Sequence, residues 1–376
     1  MARCVRGLEP VVAAEILRRG LGAVTGLGHR EVHYRPSGAV PETGADCPRT
    51  ADDVFLLAAR MPDPGPGRAD LARLAGLAAR ADPGGRDGRS GRDGRGVTGV
   101  EVSASFLGRR AFNRYDAEDA VGHALAARLG VPYHARRGGA APPPGHSGWR
   151  LTLDGTWATL MRRLTGRPLH RRAYKGRTIP GTLHPPVAAA MTLLADVRPG
   201  HRVLDPCCGA GTLLIEAAHV CPDARFDGFD LDADALRAAR TNAADAFSSA
   251  VPAPASVSVR RGDAGELPLA DGSVDRLLCN PPWGGQVSPR GLLAERPARW
   301  WAELRRVLAP DGAAVVLLPD AADLATAIAR GFTPVHVQQI RLSGAQPCVV
   351  RLTATPRAGR SQAGRPRSGS GRPGPG

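Results

Sequence analysis

Asp205-Pro206-Cys207-Cys208-Gly209-Ala210-Gly211-Thr212 follows a short run, Arg202-Val203-Leu204, and precedes Leu213-Leu214-Ile215-Glu216-Ala217-Ala218. The leading run reads as a buried strand, the trailing one as a helix, and the residues between as a glycine turn. Doubly wound α/β sheets hold nucleotides with this order of elements. Gly209 and Gly211 carry no Cβ, so the backbone can turn tightly there and approach a ligand closely. A dinucleotide fingerprint fits less well: Leu214 stands where the third glycine of G-x-G-x-x-G belongs, and the acid Asp205 precedes the glycines at the strand end.

A second stretch lies about seventy residues on. Val274-Asp275-Arg276-Leu277-Leu278-Cys279 reads as a buried strand, and Asn280-Pro281-Pro282-Trp283 begins where it ends. Sites of open α/β sheets lie beyond the carboxyl ends of the strands. The exocyclic amine of a base is a poor nucleophile, because its lone pair is delocalised into the ring. The side-chain carbonyl of Asn280 and the backbone carbonyl of Pro281 can accept hydrogen bonds from such an amine, favouring a pyramidal nitrogen with an available lone pair. Two prolines fix φ and aim the carbonyl, and Trp283 offers a face for a flipped or unpaired base. Asp205-x-x-x-Gly209-x-Gly211 resembles the first motif of class I methyltransferases, which bind S-adenosyl-L-methionine. Asn280 to Trp283 resemble the Asn-Pro-Pro-aromatic motif of those that act on planar nitrogens.

The chain has 376 residues, enough for about two domains. Its net charge of +15 is uneven: residues 1–180 hold 29 Lys+Arg against 17 Asp+Glu, residues 181–355 hold 16 against 18, and the last 21 residues hold five arginines and no acid. A polyanion held by one half and delivered to a near-neutral site in the other suits this distribution. Lys175 is the only lysine, so a general bias toward arginine contributes as well. The seven cysteines include no C-x-x-C pair or zinc-like His/Cys cluster, so no metal is expected. That usage, with no apolar leader or membrane-length apolar run, predicts a reduced, cytoplasmic protein with no membrane partner.

In the first half, Leu8–Arg19 has helical spacing. Glu31–Arg35 and Asp53–Arg60 read as strands, Asp70–Ala81 as a helix and Gly99–Phe106 as a strand. A helix starts at Asp116 and ends near Gly130, and Trp149–Asp154 with Ala158–Met161 reads as a hairpin. Residues 82–96 repeat a Gly-Arg-Asp-Gly theme without an apolar side chain and are expected to form a mobile loop. Leu107–Tyr115 mixes arginines with aromatics, which suits either phosphates and bases or a solvated connection. This order of elements, with Arg6-Gly7-Leu8-Glu9 near its start and Leu169-His170-Arg171-Arg172-Ala173-Tyr174 at its end, resembles the N-terminal half of THUMP-containing methyltransferases. The resemblance implies an α+β THUMP-like RNA-binding region over 1–175, a class I methyltransferase domain over 181–355, and a disordered basic tail over 356–376.

Within the second half, His184–Met191 opens a helix, and the strand Arg225–Asp230 ends in an acid about twenty residues past the glycines, where it can accept from both ribose hydroxyls. Asp232 is either another ribose ligand or a helix N-cap. The strand Val257–Arg260 leads to Gly262-Asp263-Ala264, and Val335–Leu342 with Pro347–Leu352 reads as a closing antiparallel hairpin. The resemblance implies a Rossmann-like seven-stranded sheet that binds S-adenosyl-L-methionine through Asp205, Cys207, Gly209, Gly211, Thr212, Asp230, Asp263, Ala264 and Asn280, with Asp263 holding the adenine amine. It places catalysis on Asn280, Pro281, Pro282 and Trp283, and implies methyl transfer to the N2 amine of a guanine in tRNA. The same motifs admit a ribosomal-RNA guanine methyltransferase, a DNA adenine or protein glutamine N-methyltransferase, or an inactive RNA-binding protein. The oligomeric state is not expressed in the sequence.

Overall fold

The computed structural model describes residues 1–38, 46–82, 97–248 and 257–355. The basic tail and all of the Gly/Arg repeat except Asp82 lie outside these residues. The first half is built from β1 (Ala2–Arg3), α1 (Glu9–Arg18), β2 (Gly22–Gly28), β3 (Glu31–Pro36), β4 (Asp53–Pro62), α2 (Leu71–Ala79), β5 (Gly99–Phe106), α3 (Arg114–Leu129), β6 (Tyr133–His134), β7 (His146–Leu153) and β8 (Trp157–Arg163). Its strands form one eight-stranded sheet in the order β2-β3-β1-β4-β8-β7-β5-β6.

Period-two alternation decides which side of this sheet is covered. Trp149, Leu151 and Leu153 of β7 pack with Leu74 and Leu77 of α2 and Val121 and Leu125 of α3. Ala2, Val32 and Val54 pack with Val12 and Ile16 of α1. Asn113 caps α3 by accepting from the Tyr115 and Asp116 N–H groups, and Gly130 ends it in the left-handed conformation, with φ 66°. The Leu107–Tyr115 stretch turns out to be structural at its centre. Arg110 is 4% exposed and donates to Asp63 at 2.8 Å, and Phe112 is buried edge-on to Phe106.

The second half contains α4 (Pro185–Ala195), β9 (Arg202–Asp205), α5 (Thr212–Val220), β10 (Arg225–Asp230), α6 (Ala233–Phe247), β11 (Val257–Arg261), β12 (Val274–Cys279), α7 (Gly291–Glu295), α8 (Pro297–Val307), β13 (Leu308–Leu318), α9 (Asp323–Ala329), β14 (Phe332–Gln339) and β15 (Cys348–Ala354). The seven strands run β11-β10-β9-β12-β13-β15-β14, and β15 alone runs opposite to the other six. Strand order reverses between β9 and β12, where an open sheet of this kind leaves its ligand crevice.

The two halves share buried surface. Val5, Leu8 and Val11 belong to the same apolar cluster as Val187, Met191 and Leu214. Glu216 of α5 is fully buried and accepts from Arg49 Nε at 2.8 Å, Arg172 Nε at 2.9 Å and the Tyr174 hydroxyl at 2.7 Å. The Leu169–Tyr174 stretch therefore seals the first half onto the second. Burial pushes the Glu216 carboxyl up, but Arg49 and Arg172 outweigh it and hold the group below its ordinary value. Among the described residues no helix is long and apolar enough to cross a membrane.

Candidate active site

The strand ends at the reversal line a cleft of about 950 Å³. Asp205, Cys207, Gly209, Thr212, Asp230, Asp263, Ala264 and Asn280 to Trp283 all border it. Of the residues expected at the site, Gly211 does not line the cleft; it supports the turn from behind. Its φ is 80°, and a Cβ there would stand 3.2 Å from Ala239 of α6. Gly209, with φ 51°, faces the cleft and would meet only the end of Ile179, at 3.8 Å. One glycine thus keeps the floor low and the other lets α5 and α6 close beneath it.

The turn is held from the next strand. Asp230, at the end of β10, accepts from the Gly209 N–H and the Asp232 N–H, each at 2.9 Å. Asp205 is buried and accepts from the Cys207 N–H at 3.1 Å. Burial, with a smaller push from Asp230, raises its carboxyl to about 8. Asp263 accepts from Gly265 N–H at 2.8 Å and Leu292 N–H at 3.0 Å. Each carboxylate oxygen has a further lone pair, so Asp230 and Asp263 can still accept from a ligand. Asp232 is resolved as the N-cap of α6, accepting from Asp234 and Ala235 N–H groups, and its outer oxygen lies 3.6 Å from Arg290.

Asn280 follows the last residue of β12. Its Nδ2 points at the Gly181 carbonyl, a long contact of 3.5 Å, and Oδ1 is left as the acceptor. Pro281 is buried, Pro282 half-buried, and Trp283 packs partly against the core beneath the cleft. Among the described residues the buried indole Nε1 has no hydrogen-bond partner, so Trp283 offers the cleft an apolar surface. Gly284 N–H donates to the Val287 carbonyl at 2.9 Å, and Gln286 Oε1 accepts from Gly181 N–H at 3.0 Å. This loop therefore rests on the strap 179–184.

That strap, and the residues leading into it, is what sequence reading missed. Ile179, Thr182 and His184 border the cleft, as does Lys175, whose Nζ donates to the Leu183 carbonyl at 3.1 Å. His184 Nε2 lies 2.7 Å from Asp52 Oδ1, in the first half of the chain. Burial raises Asp52, but the hydrogen bond and charge of His184 outweigh it and hold the carboxyl low. The one available signal was that the only lysine stands a few residues before the Pro-Gly turn at 180–181.

A family model for an RMKL-like methyltransferase domain matches residues 172–347. The tRNA (guanine(6)-N2)-methyltransferase of Thermus thermophilus is 34% identical over 261 residues, covering 68% of this chain and 73% of that one. Human U6 snRNA (guanine-N(2))-methyltransferase THUMPD2 is 30% identical over 183 residues, covering 46% of this chain and 35% of that one. The crystal structure of TrmN from Thermus thermophilus aligns with a TM-score of 0.72 at 29% identity, covering 94% of this chain and 98% of that one. The matched domain begins at Arg172, where the chain seals onto Glu216, and runs past the last cleft residue, Ala345. The chain belongs to the RMKL-like methyltransferase family.

Proposed function

We propose that this protein is an S-adenosyl-L-methionine-dependent methyltransferase that acts on the N2 amine of a guanine in tRNA. The observation that carries the reading is the placement of Asn280-Pro281-Pro282-Trp283 at the end of β12, in one cleft with the acids that end β9 and β10. The donor set fits the cofactor. The cleft lies near the upper end of the roughly 300–1,000 Å³ typical of ligand sites, which leaves space for a nucleoside cofactor and a base. Asp230 suits the ribose hydroxyls, Asp263 and Ala264 the adenine edge, and Cys207, Gly209 and Thr212 the open turn between them. Asp205 puts a carboxyl beside this turn, where a cationic ligand would favour its ionised form.

S-adenosyl-L-methionine supplies an electrophilic methyl group on a sulfonium. The chain's own work is to prepare the nucleophile. Asn280 Oδ1 and the Pro281 carbonyl accept the two amine hydrogens, which turns the nitrogen lone pair out of conjugation and toward the methyl. After transfer the methylated nitrogen is cationic and strongly acidic and passes its proton to water, so no strong base is needed. Pro282 fixes the backbone, and Trp283 supports the face of the base. Residues 1–175 act as a THUMP-like RNA-capturing region, a role supported by their positive charge and the similarity to tRNA- and snRNA-directed enzymes.

Nucleoside mass spectrometry of tRNA, rRNA and snRNA from cells with and without the gene tests the reading. Loss of N2-methylguanosine from tRNA supports it. Loss from another RNA alone replaces the substrate, and no change in any RNA removes the proposed reaction.

A further inference from the structure

We propose that Arg3 and Arg150, with Arg30 beside them, form a phosphate-binding site for RNA on the face of the eight-stranded sheet away from α1, α2 and α3, next to the catalytic cleft. The inference rests on the RNA-methyltransferase reading and adds where the substrate's backbone is held.

Strand register puts the groups on one side. Arg3 pairs with Glu31 on β3 and with Asp53 on β4. Arg150 pairs with Met161, which pairs with Leu57, two positions from Phe55 and four from Asp53. Registered partners share a face and alternate residues return to it. Arg3, Asp53, Phe55, Met161 and Arg150 therefore lie opposite the face that carries Ala2, Val54, Trp149 and Leu151 under the helices.

The acids near this face form no salt bridge with Arg3 or Arg150 among the described residues, although Glu31, Asp52 and Asp53 attract them from further off. Asp53 and Glu101 are taken by Arg163, at 2.7 and 3.2 Å. Glu31 faces His33 at 3.5 Å, and Asp52 faces His184 at 2.7 Å and Arg30 at 3.6 Å. Arg3 makes no side-chain hydrogen bond or salt bridge among the described residues. Among the described residues Arg150 donates once, to Ser105 Oγ at 2.7 Å, and its buried Nε has no partner. Both residues are half-buried, and both guanidiniums are pulled below their ordinary value, first by burial and then by one another's neighbourhood: Arg30 acts on Arg3, and Arg3 on Arg150.

Two partly desolvated guanidiniums with donors left over, and with acids near them but none in a direct ion pair, are costly for the protein alone. An anion that brings oxygen acceptors for both removes the cost, and phosphate matches the guanidinium fork. The site also has a fixed relation to the chemistry. Arg30 reaches Asp52, Asp52 reaches His184, and His184 borders the cleft. A strand gripped here lies beside the entrance through which the target base must pass. RNA is the anion favoured over a free nucleotide because Arg3 and Arg150 lie outside the residues that line the cleft, on a strand face where Leu57 is exposed.

The test is binding of an unmodified tRNA transcript across a salt series by the full chain, with Arg3→Ala, Arg150→Ala, the double variant, Arg150→Lys, and Arg80→Ala on the exposed end of α2 as control. Each lost phosphate contact should flatten the log Kd against log salt slope by about 1, so the double variant loses about 2. Its affinity at roughly 0.1 M salt should fall at least tenfold. Arg150→Lys should keep most of the slope, and Arg80→Ala all of it. S-adenosylhomocysteine titration should be unchanged, and Tm unchanged or raised, since a partly desolvated cation has been removed. A wild-type slope in the double variant overturns the site. So does a fall in Tm accompanied by lost S-adenosylhomocysteine binding, which would make the arginines structural. If the wild-type chain methylates tRNA while the variants bind normally, only this site fails. If the wild-type chain neither binds nor methylates RNA, the functional reading fails and the site with it.

Discussion

In the seven-stranded sheet the charges that matter are acids at strand ends, Asp205, Asp230 and, just past β11, Asp263. In the eight-stranded sheet they are arginines on a strand face, Arg3, Arg150 and Arg163. The first arrangement is convergent. Parallel strands end on one edge, so acids from separate strands meet around a single cleft. The second is spread over separate strands along one face of the pleat. A compact ligand with ribose hydroxyls suits the one, and an extended polyanion suits the other. Between them stands Glu216, an acid from the catalytic half gripped by Arg49 and Arg172 from the rest of the chain.

Glu216→Ala is expected to have the largest effect, because it leaves two guanidiniums in a closed interface with no carboxylate. The loss should be about 3–5 kcal/mol of stability in denaturant unfolding. A loss under 1 kcal/mol would show that the two halves hold together without this cluster. It follows that a chain cut after residue 175 would expose Glu216, so the division of labour is better tested by point substitution. Asn280→Ala should reduce turnover about 10²–10³-fold, on the scale of removing one positioned transition-state hydrogen-bonding group, with tRNA affinity close to wild type. Single-turnover methylation measures this. Unchanged turnover would remove Asn280 from the mechanism and leave the strand-end acids as a binding site only.

Asp230→Asn should weaken S-adenosylhomocysteine binding by about ten- to a hundredfold, because a neutral amide is a poorer acceptor for the Gly209 and Asp232 N–H groups and for ribose. The same substitution should not alter the salt dependence of RNA binding. If it does, the two sheets are not electrostatically separate. The smallest effect concerns pH. Asp205 in the folded chain titrates near about 8, above the unfolded value of roughly 3.9, so its contribution to stability is full at low pH and is lost as pH rises through about 8. A cationic cofactor favours the ionised form, so S-adenosyl-L-methionine affinity should rise between pH 6 and 8, by at most about tenfold per unit. A flat calorimetric profile over that range would mean that Asp205 does not face the cofactor's positive charge.

The catalytic half was readable because its signals are local. Asp205, Gly209 and Gly211 lie within seven residues, and Asn280 to Trp283 are contiguous. Each acid stands at or just past the end of a strand, and the parallel sheet converts serial position into spatial convergence. The first half was less readable for an equally physical reason. β2 is Gly22-Ala23-Val24-Thr25-Gly26-Leu27-Gly28, without apolar alternation, and its register slips between Val24 and Gly26. β1 and β6 are two residues each, too short for any period to show.

Sequence by itself determined the chemistry of the cleft: which strand ends carry acids, where the backbone must turn without a Cβ, and which residues could accept hydrogen bonds from an amine. Those properties depend on neighbours a few residues away. Tertiary structure decided which charges are paired. Glu216 reads as one more residue of a helix until Arg49, Arg172 and Tyr174 close over it from 42 to 167 residues away. Arg150 reads as one of many arginines until the sheet gives it a hydrogen bond to Ser105 and, among the described residues, no salt bridge. Pairing and burial are set by contacts between distant segments, and no local pattern in the chain encodes them.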